Sequence, residues 1–327
     1  MKNLLFFALL LCSLWACPPQ QTPPPVDPPV EEEAVMAVGF DGQKLMAIND
    51  PPVIRMRKDS LLRIAQANYT AQPNDLQNII WYGRRLSYLT RYPEAIEVYT
   101  KGIALHPEAP ELYRHRGHRY ISTRQTELAI ADLLKAAELS KDLPIQIEPD
   151  GQPNALNIPL SSLQFNIWYH LGLAYYLQQD YKEAQAAFEE CMQFSTNPDL
   201  LCATTDWLYM TYRRRGLTEK PAQLLEAISP DMELIENKAY HKRLLLYKGL
   251  LRPEEIISVT KSGADRQLEI ATQGYGVGNW YLYNDQSDKA MDIFRRVLET
   301  SYWPAFGYIA AEAELNYLKK RAPELLK

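Results

Sequence analysis

The chain is 327 residues long and 46% apolar, enough to bury a sizeable core without disulfide or metal staples. Its 35 basic side chains face 40 acidic ones, for a formal charge of −5. That balance excludes a basic nucleic-acid-binding domain, and the apolar content excludes a disordered chain.

At the N-terminus Lys2 precedes an apolar run from Leu4 to Ala16, "LLFFALLLCSLWA". The run is too short to span a bilayer at about 1.5 Å per residue and suits a signal peptide, residues 1–16, cleaved after Ala16. The "LWAC" that ends at Cys17 resembles the lipobox of bacterial lipoproteins. The resemblance implies that Cys17 takes a diacylglycerol, and acyl chains at about 0.8 kcal/mol per buried CH₂ would hold the protein on a membrane. An ordinary secretory cleavage is the alternative. Pro18 to Glu33 carries seven prolines and no apolar periodicity, which predicts an extended spacer of roughly 50 Å at ~3.1 Å per residue. Residues 17–50 therefore read as a lipidated cysteine and tether. Pro18 in place of an aspartate after Cys17 implies, by the same resemblance, the outer membrane.

Asp59 to Thr70 reads as the second helix of a partial repeat that caps the N-terminal end of a solenoid over residues 51–327. A fuller unit follows at 76–109, with Gly83, Ala95, Tyr99, Gly102 and Pro107. A shift of 34 residues brings Gly117, Ala129, Leu133 and Ala136 under it in a second unit, 110–141. Next comes Lys141 to Ser162, "KDLPIQIEPDGQPNALNIPLSS", an insertion that holds the 21 residues by which the Gly117-to-Gly172 spacing exceeds 34, with four prolines and a turn-forming "PDG". Its alternation of apolar and turn residues predicts an ordered segment rather than a slack loop. The template returns at 165–198 with Trp168, Leu171, Gly172, Tyr175, Ala184, Phe188 and Cys191, and at 271–303 with Gly278, Tyr281, Ala290, Phe294 and Val297. Between them, 199–262 holds four degenerate helical segments broken by Gly216, Pro221, Pro230 and Pro253, and 304–320 reads as a C-terminal capping helix. The glycines stand where two helices of a hairpin cross closely, the alanines are the small residues opposite them, and Tyr99, Leu133, Phe188 and Phe294 are expected to fill the socket of the next repeat.

This pattern resembles the tetratricopeptide (TPR) repeat. The resemblance implies an all-α solenoid of about six helix hairpins in a right-handed superhelix, with the first helix of each hairpin lining a concave groove. The wider run from "WYGRRLSYLTRYPEAI" through "EPDGQPN" and "GYGVGNW" to "WPAFGYIAAEAEL" is similar to a family of bacterial exported TPR proteins without an assigned activity.

The register assigns Arg84, Tyr88, Arg114, His118, Tyr169, Tyr176, Asn279 and Tyr283 to the groove. Arg84, Arg114 and His118 make a basic, tyrosine-flanked patch suited to a carboxylate-bearing or acidic segment of a partner. A solvated groove with local ion pairs is the plainer alternative. The Lys and Asn arrangement of chaperone-binding carboxylate-clamp TPR domains is missing. Within "LYRHRGHRY", Tyr113 and Tyr120 are expected in the hairpin core, and His115 and Arg119 on the flank. Arg116 takes a place usually held by leucine, so it is expected to be partly buried and paired with an acid such as Asp132.

Chemistry-like motifs fail on inspection. "GYGVGNW" lacks dinucleotide-loop spacing and follows a helix, His115 and His118 have no third ligand, and no nucleophile elbow or P-loop is present. Cys191 sits at a small-residue core position and is expected to be a free buried thiol rather than half of a bridge to Cys202. The expected function is a non-enzymatic scaffold lipoprotein that binds an envelope protein through its groove, with no cofactor, metal or nucleic acid. Glycan binding is the alternative.

Overall fold

The computed structural model describes residues 34–257 and 263–321, so the expected signal peptide, Cys17, the proline run and part of the degenerate region lie outside the described residues. The chain enters as a hairpin of β1 (Val35–Val38) and β2 (Lys44–Met46), paired antiparallel. Gly42 closes its turn at a φ of 91°, and Gln43 N donates to Asp41 Oδ1 over 3.0 Å. This corrects the reading of 17–50 as a tether throughout: Ala37 and Leu45 are buried in the main core. Long-range hydrogen bonds hold the hairpin down, from Phe40 N to Glu312 Oε1 (2.8 Å) and from Trp303 Nε1 to the Met46 carbonyl (2.8 Å).

Fourteen helices follow among the described residues. They run as α1 (Pro52–Ala71), α2 (Leu76–Tyr88), α3 (Tyr92–Leu105), α4 (Pro110–Ser122), α5 (Thr126–Ser140), α6 (Leu163–Leu177) and α7 (Tyr181–Gln193). The series continues with α8 (Pro198–Arg214), α9 (Glu219–Leu225), α10 (Lys238–Tyr247), α11 (Pro253–Ile256), α12 (Gly263–Leu282), α13 (Ser287–Leu298) and α14 (Phe306–Arg321). The starts are written locally: Asp75, Ser162, Asp180 and Asn197 each accept a capping hydrogen bond from the backbone three residues on. In each of the hairpins α2/α3, α4/α5, α6/α7 and α12/α13, one non-glycine residue after the first helix turns left-handed. These are Thr90, Arg124, Gln179 and Asp285, with φ of 59°, 64°, 63° and 59°. The repeat is thus stamped on the backbone as well as on the side chains.

The four hairpins share one packing device. A Cβ on Gly83 would come within 2.4 Å of the Tyr99 ring, on Gly117 within 2.8 Å of Leu133, on Gly172 within 2.7 Å of Phe188 and on Gly278 within 2.5 Å of Phe294. Each large residue therefore sits on the glycine of its own hairpin, which corrects the expectation that it fills the next repeat's socket. We predict that Gly172→Ala lowers stability by about 1 to 3 kcal/mol by overpacking, despite alanine's helix propensity advantage of about 1 kcal/mol. Urea unfolding measures it, and a second variant, Gly172→Ala/Phe188→Leu, should recover most of the loss. An unchanged midpoint for the single variant would refute the crossing argument.

Two elements depart from the sequence reading. Pro221 lies inside the first turn of α9 instead of breaking the chain, because a missing N–H is tolerated there. Helix α14 does not cap an exposed end: Ile309, Ala310, Ala311, Glu312 and Glu314 are all buried. It packs on α12, α13 and α6, and its Glu312 forms a buried ion pair of 2.8 Å with Arg124, in the turn of the second hairpin. The first-helix faces of the later repeats are thereby covered by the chain's own C-terminal region.

Candidate binding site

Helix α4 carries "LYRHRGHRY", and its side chains divide between faces by helical register. Arg116 reaches across the hairpin and grips Asp132 bidentately, at 2.7 and 2.8 Å, with both groups mostly buried. Tyr113 and Tyr120 are half-buried and lie alongside that guanidinium rather than deep in the core, at 6.0 and 5.6 Å. His115, expected on the flank, is buried and stacks on Tyr99 with ring centroids 5.7 Å apart. Arg119 is half-buried over the Tyr92 ring at 5.0 Å, and no carboxylate lies within ion-pair distance of it among the described residues.

Arg84 and Arg114 come together with Arg119, His115, His118 and Tyr88 around a cavity of about 120 Å³. The insertion follows a defined path into this place. Its ends are tied by the Leu163 amide to the Gln146 carbonyl (2.8 Å) and the Glu148 amide to the Ser161 carbonyl (3.0 Å). Farther along, Asn154 Nδ2 donates to Glu236 Oε1 over 2.7 Å. Between these ties, Glu148 Oε2 pairs with Arg114 Nη2 at 2.9 Å and accepts from Asn166 Nδ2 at 2.9 Å. The Arg84 guanidinium donates to the Pro149 carbonyl and that of Arg85 to the Gly151 carbonyl, each over 2.8 Å. Gly151 is pressed against Tyr88, whose hydroxyl lies 1.8 Å from where a Cβ would stand. The basic patch is therefore occupied by an acidic, extended segment of the same chain.

The electrostatics of the cleft are lopsided. Of the three guanidiniums of Arg84, Arg114 and Arg119, Arg114 is the one that pairs with Glu148, and Arg114 Nε, Glu148 Oε1 and Asp150 Oδ2 are buried without hydrogen-bond partners. Burial, then the Arg114 charge, holds the His115 imidazole well below its ordinary pKa, and Arg114 Nη1 donates to its Nδ1 over 2.7 Å. Burial, followed by Arg119 and His170, does the same to His118. Burial and then Arg114 depress His170, whose ring lies 4.1 Å from that of His118. All three imidazoles are neutral at pH 7. Burial and then Glu236 raise the Asp150 carboxyl.

The remaining groove residues are not open to a ligand. Tyr176 is buried and its hydroxyl receives hydrogen bonds from Tyr275 (2.8 Å) and Asn279 (3.0 Å), so Tyr176 and Asn279 close on each other. Tyr169 is buried with its hydroxyl 2.8 Å from that of Tyr240, and Phe306 lies over His118 at 5.4 Å. Tyr283 packs under Arg213 at 4.3 Å with its hydroxyl buried and unpartnered. These residues are corrected from groove lining to interior packing: α10, α12 and α14 fill the space the register left to a partner. His118 and Arg114 keep their place at the cleft, where the chain itself covers them, and Arg84 and Tyr88 remain half-exposed. Register locates a face but does not say what lies on it.

Sequence reasoning missed Glu148, Pro149, Gly151 and Arg85. The available signal was an acid inside an insertion long enough to reach a basic patch in an acidic chain. Also missed was the turn "FDGQ", a hairpin signal in a run otherwise read as a tether. Cys191 and Cys202 are both buried and free, and burial pushes both thiols up to about 12. No group of three or more His, Cys, Asp or Glu among the described residues is placed to hold a metal ion, and no described helix is long and apolar enough to cross a membrane.

Residues 165–197, the α6/α7 hairpin with Gly172 under Phe188, match the family model described as tetratricopeptide repeat. This hairpin is a tetratricopeptide repeat. No curated protein sequence matches the chain. Similar solved structures include MamA, 17% identical with a TM-score of 0.40 over 53% of this chain and 88% of that one. YrrB, described as a TPR protein with an unusual peptide-binding site, is 14% identical with a TM-score of 0.40 over 77% of this chain and 97% of that one. The Cut9–Hcn1 hetero-tetramer of the APC/C is 14% identical with a TM-score of 0.45 over 82% of this chain and 41% of that one.

Proposed function

We propose that this TPR protein is a non-enzymatic scaffold that binds a protein partner through the Arg84/Arg114 cleft, taking an extended, acidic segment. The observation that carries the reading is Glu148. A carboxylate and the two carbonyls after it already lie across Arg114, Arg84 and Arg85 in extended form. Guanidiniums suit this task because their fixed donor forks match carboxylates and backbone carbonyls. We place the scaffold at the bacterial cell envelope, held on the outer membrane by lipidation of Cys17, on the strength of the "LWAC" resemblance and the acyl-chain energetics above.

Cross-linking in intact cells, followed by purification and mass spectrometry, tests both parts. An envelope protein is expected with the parent and lost with Arg84→Ala/Arg114→Ala, whose folding is checked by circular dichroism. Radiolabelled palmitate is expected in the parent and absent from Cys17→Ala. Equal recovery of the same protein from parent and double variant would sink the cleft, and unlabelled parent would sink the anchor. The glycan alternative has less support: no tryptophan among the described residues is exposed, and Trp81 lies under the guanidiniums of Arg84 and Arg85 at 4.5 and 4.9 Å.

A further inference from the structure

We infer that the Glu148–Pro149–Asp150–Gly151 segment is a built-in competitor that keeps the cleft shut, and that a partner binds by displacing it. The inference rests on the cleft being the binding site and adds to that reading how the site is regulated. The segment sits where a ligand would, yet it is a poor match for the cleft. Of its carboxylate oxygens, Glu148 Oε2 pairs with a guanidinium and Arg84 and Arg85 are met by neutral carbonyls, while Glu148 Oε1, Asp150 Oδ2 and Arg114 Nε are buried without partners and Arg119 has no carboxylate within ion-pair distance among the described residues. Buried polar groups left unpaired are a liability that a better-paired occupant removes.

The surroundings are built for exchange. A second cavity of about 280 Å³, lined by Ile54, Arg57, Arg85, Tyr88 and Gly151, lies on the other side of the segment, and Tyr88 borders both spaces. Departure of 148–151 joins the two into one basic channel with a tyrosine at its centre. Besides its cleft contacts and the hydrogen bonds of Glu148 to Ser161 and Asn166, the segment is held at its flanks, through Gln146 to Leu163 and Asn154 to Glu236, so its release breaks those contacts without unfolding a helix. The tether also sets the competition: an intramolecular ligand acts at a high effective concentration, which an outside peptide must overcome. The fitting partner is an extended acidic peptide with a carboxylate for Arg114 and a second one for Arg119.

The test uses the full chain and a fluorescent peptide of its own residues 145–153, IQIEPDGQP. Glu148→Lys sets a fourth cation among Arg84, Arg114 and Arg119, which expels the segment and leaves every cleft residue in place. Titration followed by NMR, which reads millimolar affinities, is expected to show the peptide binding Glu148→Lys at least tenfold tighter than the parent. Adding Arg84→Ala to that variant should abolish the gain. Hydrogen exchange should speed up at the amide of residue 148 and stay unchanged at residue 163 and in α2 and α4, which shows release without unfolding. Equal binding by parent and Glu148→Lys overturns the competitor, and so does a gain that survives Arg84→Ala. Tighter peptide binding by Glu148→Lys supports the competitor whether or not cross-linking in cells recovers a partner, so the two readings fail separately.

Discussion

Replacing Asp206 with alanine is expected to lower folding stability by about 3 to 5 kcal/mol, the range for leaving one partner of a buried ion pair alone. Asp206 on α8 is wholly buried and grips Arg243 on α10 with both oxygens, at 2.9 and 2.6 Å. Arg243 is itself buried and spends its third nitrogen on the Thr272 carbonyl (2.8 Å) and Gln273 Oε1 (3.2 Å), both on α12. The pair thus ties α8, α10 and α12 where the degenerate region meets the last repeat. Burial raises the Asp206 pKa even against the pull of Arg243, so the pair is a costly arrangement kept by its geometry. Chemical denaturation of Asp206→Ala reads the loss. The second arm is Asp206→Leu/Arg243→Met: removing both charges should restore most of the stability, since apolar replacements of buried pairs are often neutral. A loss below about 1 kcal/mol in the single variant would contradict the assignment.

The second large effect is a fall in stability as the pH drops below about 6.5. His115, His118 and His170 are neutral in the folded chain because burial comes first and the cleft arginines second. In the unfolded chain they protonate near pH 6.5, so below that pH the unfolded state binds more protons and gains on the folded one. Between pH 6.5 and 5.5 each imidazole takes away about 1 kcal/mol, or roughly 3 for the cluster. Asp150 and Asp206, whose carboxyls are raised, act in the opposite sense at lower pH, so a variant comparison isolates the histidines. Denaturation of the parent and His118→Gln at pH 7.5 and 5.5 should show the difference between the two pH values shrink by about a third in the variant. Identical pH dependence in the two proteins would remove His118 from the account.

The glycine positions and the Arg116–Asp132 pair were legible in the sequence for a shared reason. Partners within one hairpin lie close along the chain, so the helical period and the repeat spacing decide who meets whom. Gly172 under Phe188 and Arg116 against Asp132 are both separated by 16 residues. The covering of Tyr176 by Tyr275 lies 99 residues apart, and the clasp of Arg124 on Glu312 lies 188 apart. No period links such positions, and each element is equally helical with its face open or covered.

The same division runs through the candidate site. Sequence alone determined that the repeat helices form, where their hairpins cross, and that Arg84 and Arg114 stand on one face asking for a carboxylate. Only the tertiary structure decided that the carboxylate is Glu148, that α12 and α14 cover the rest of the face, and that three imidazoles are dehydrated there. Local spacing sets which side of a helix a residue occupies. What lies against that side depends on which distant segments can bury their own apolar surface there, and that is settled by the packing of the whole chain.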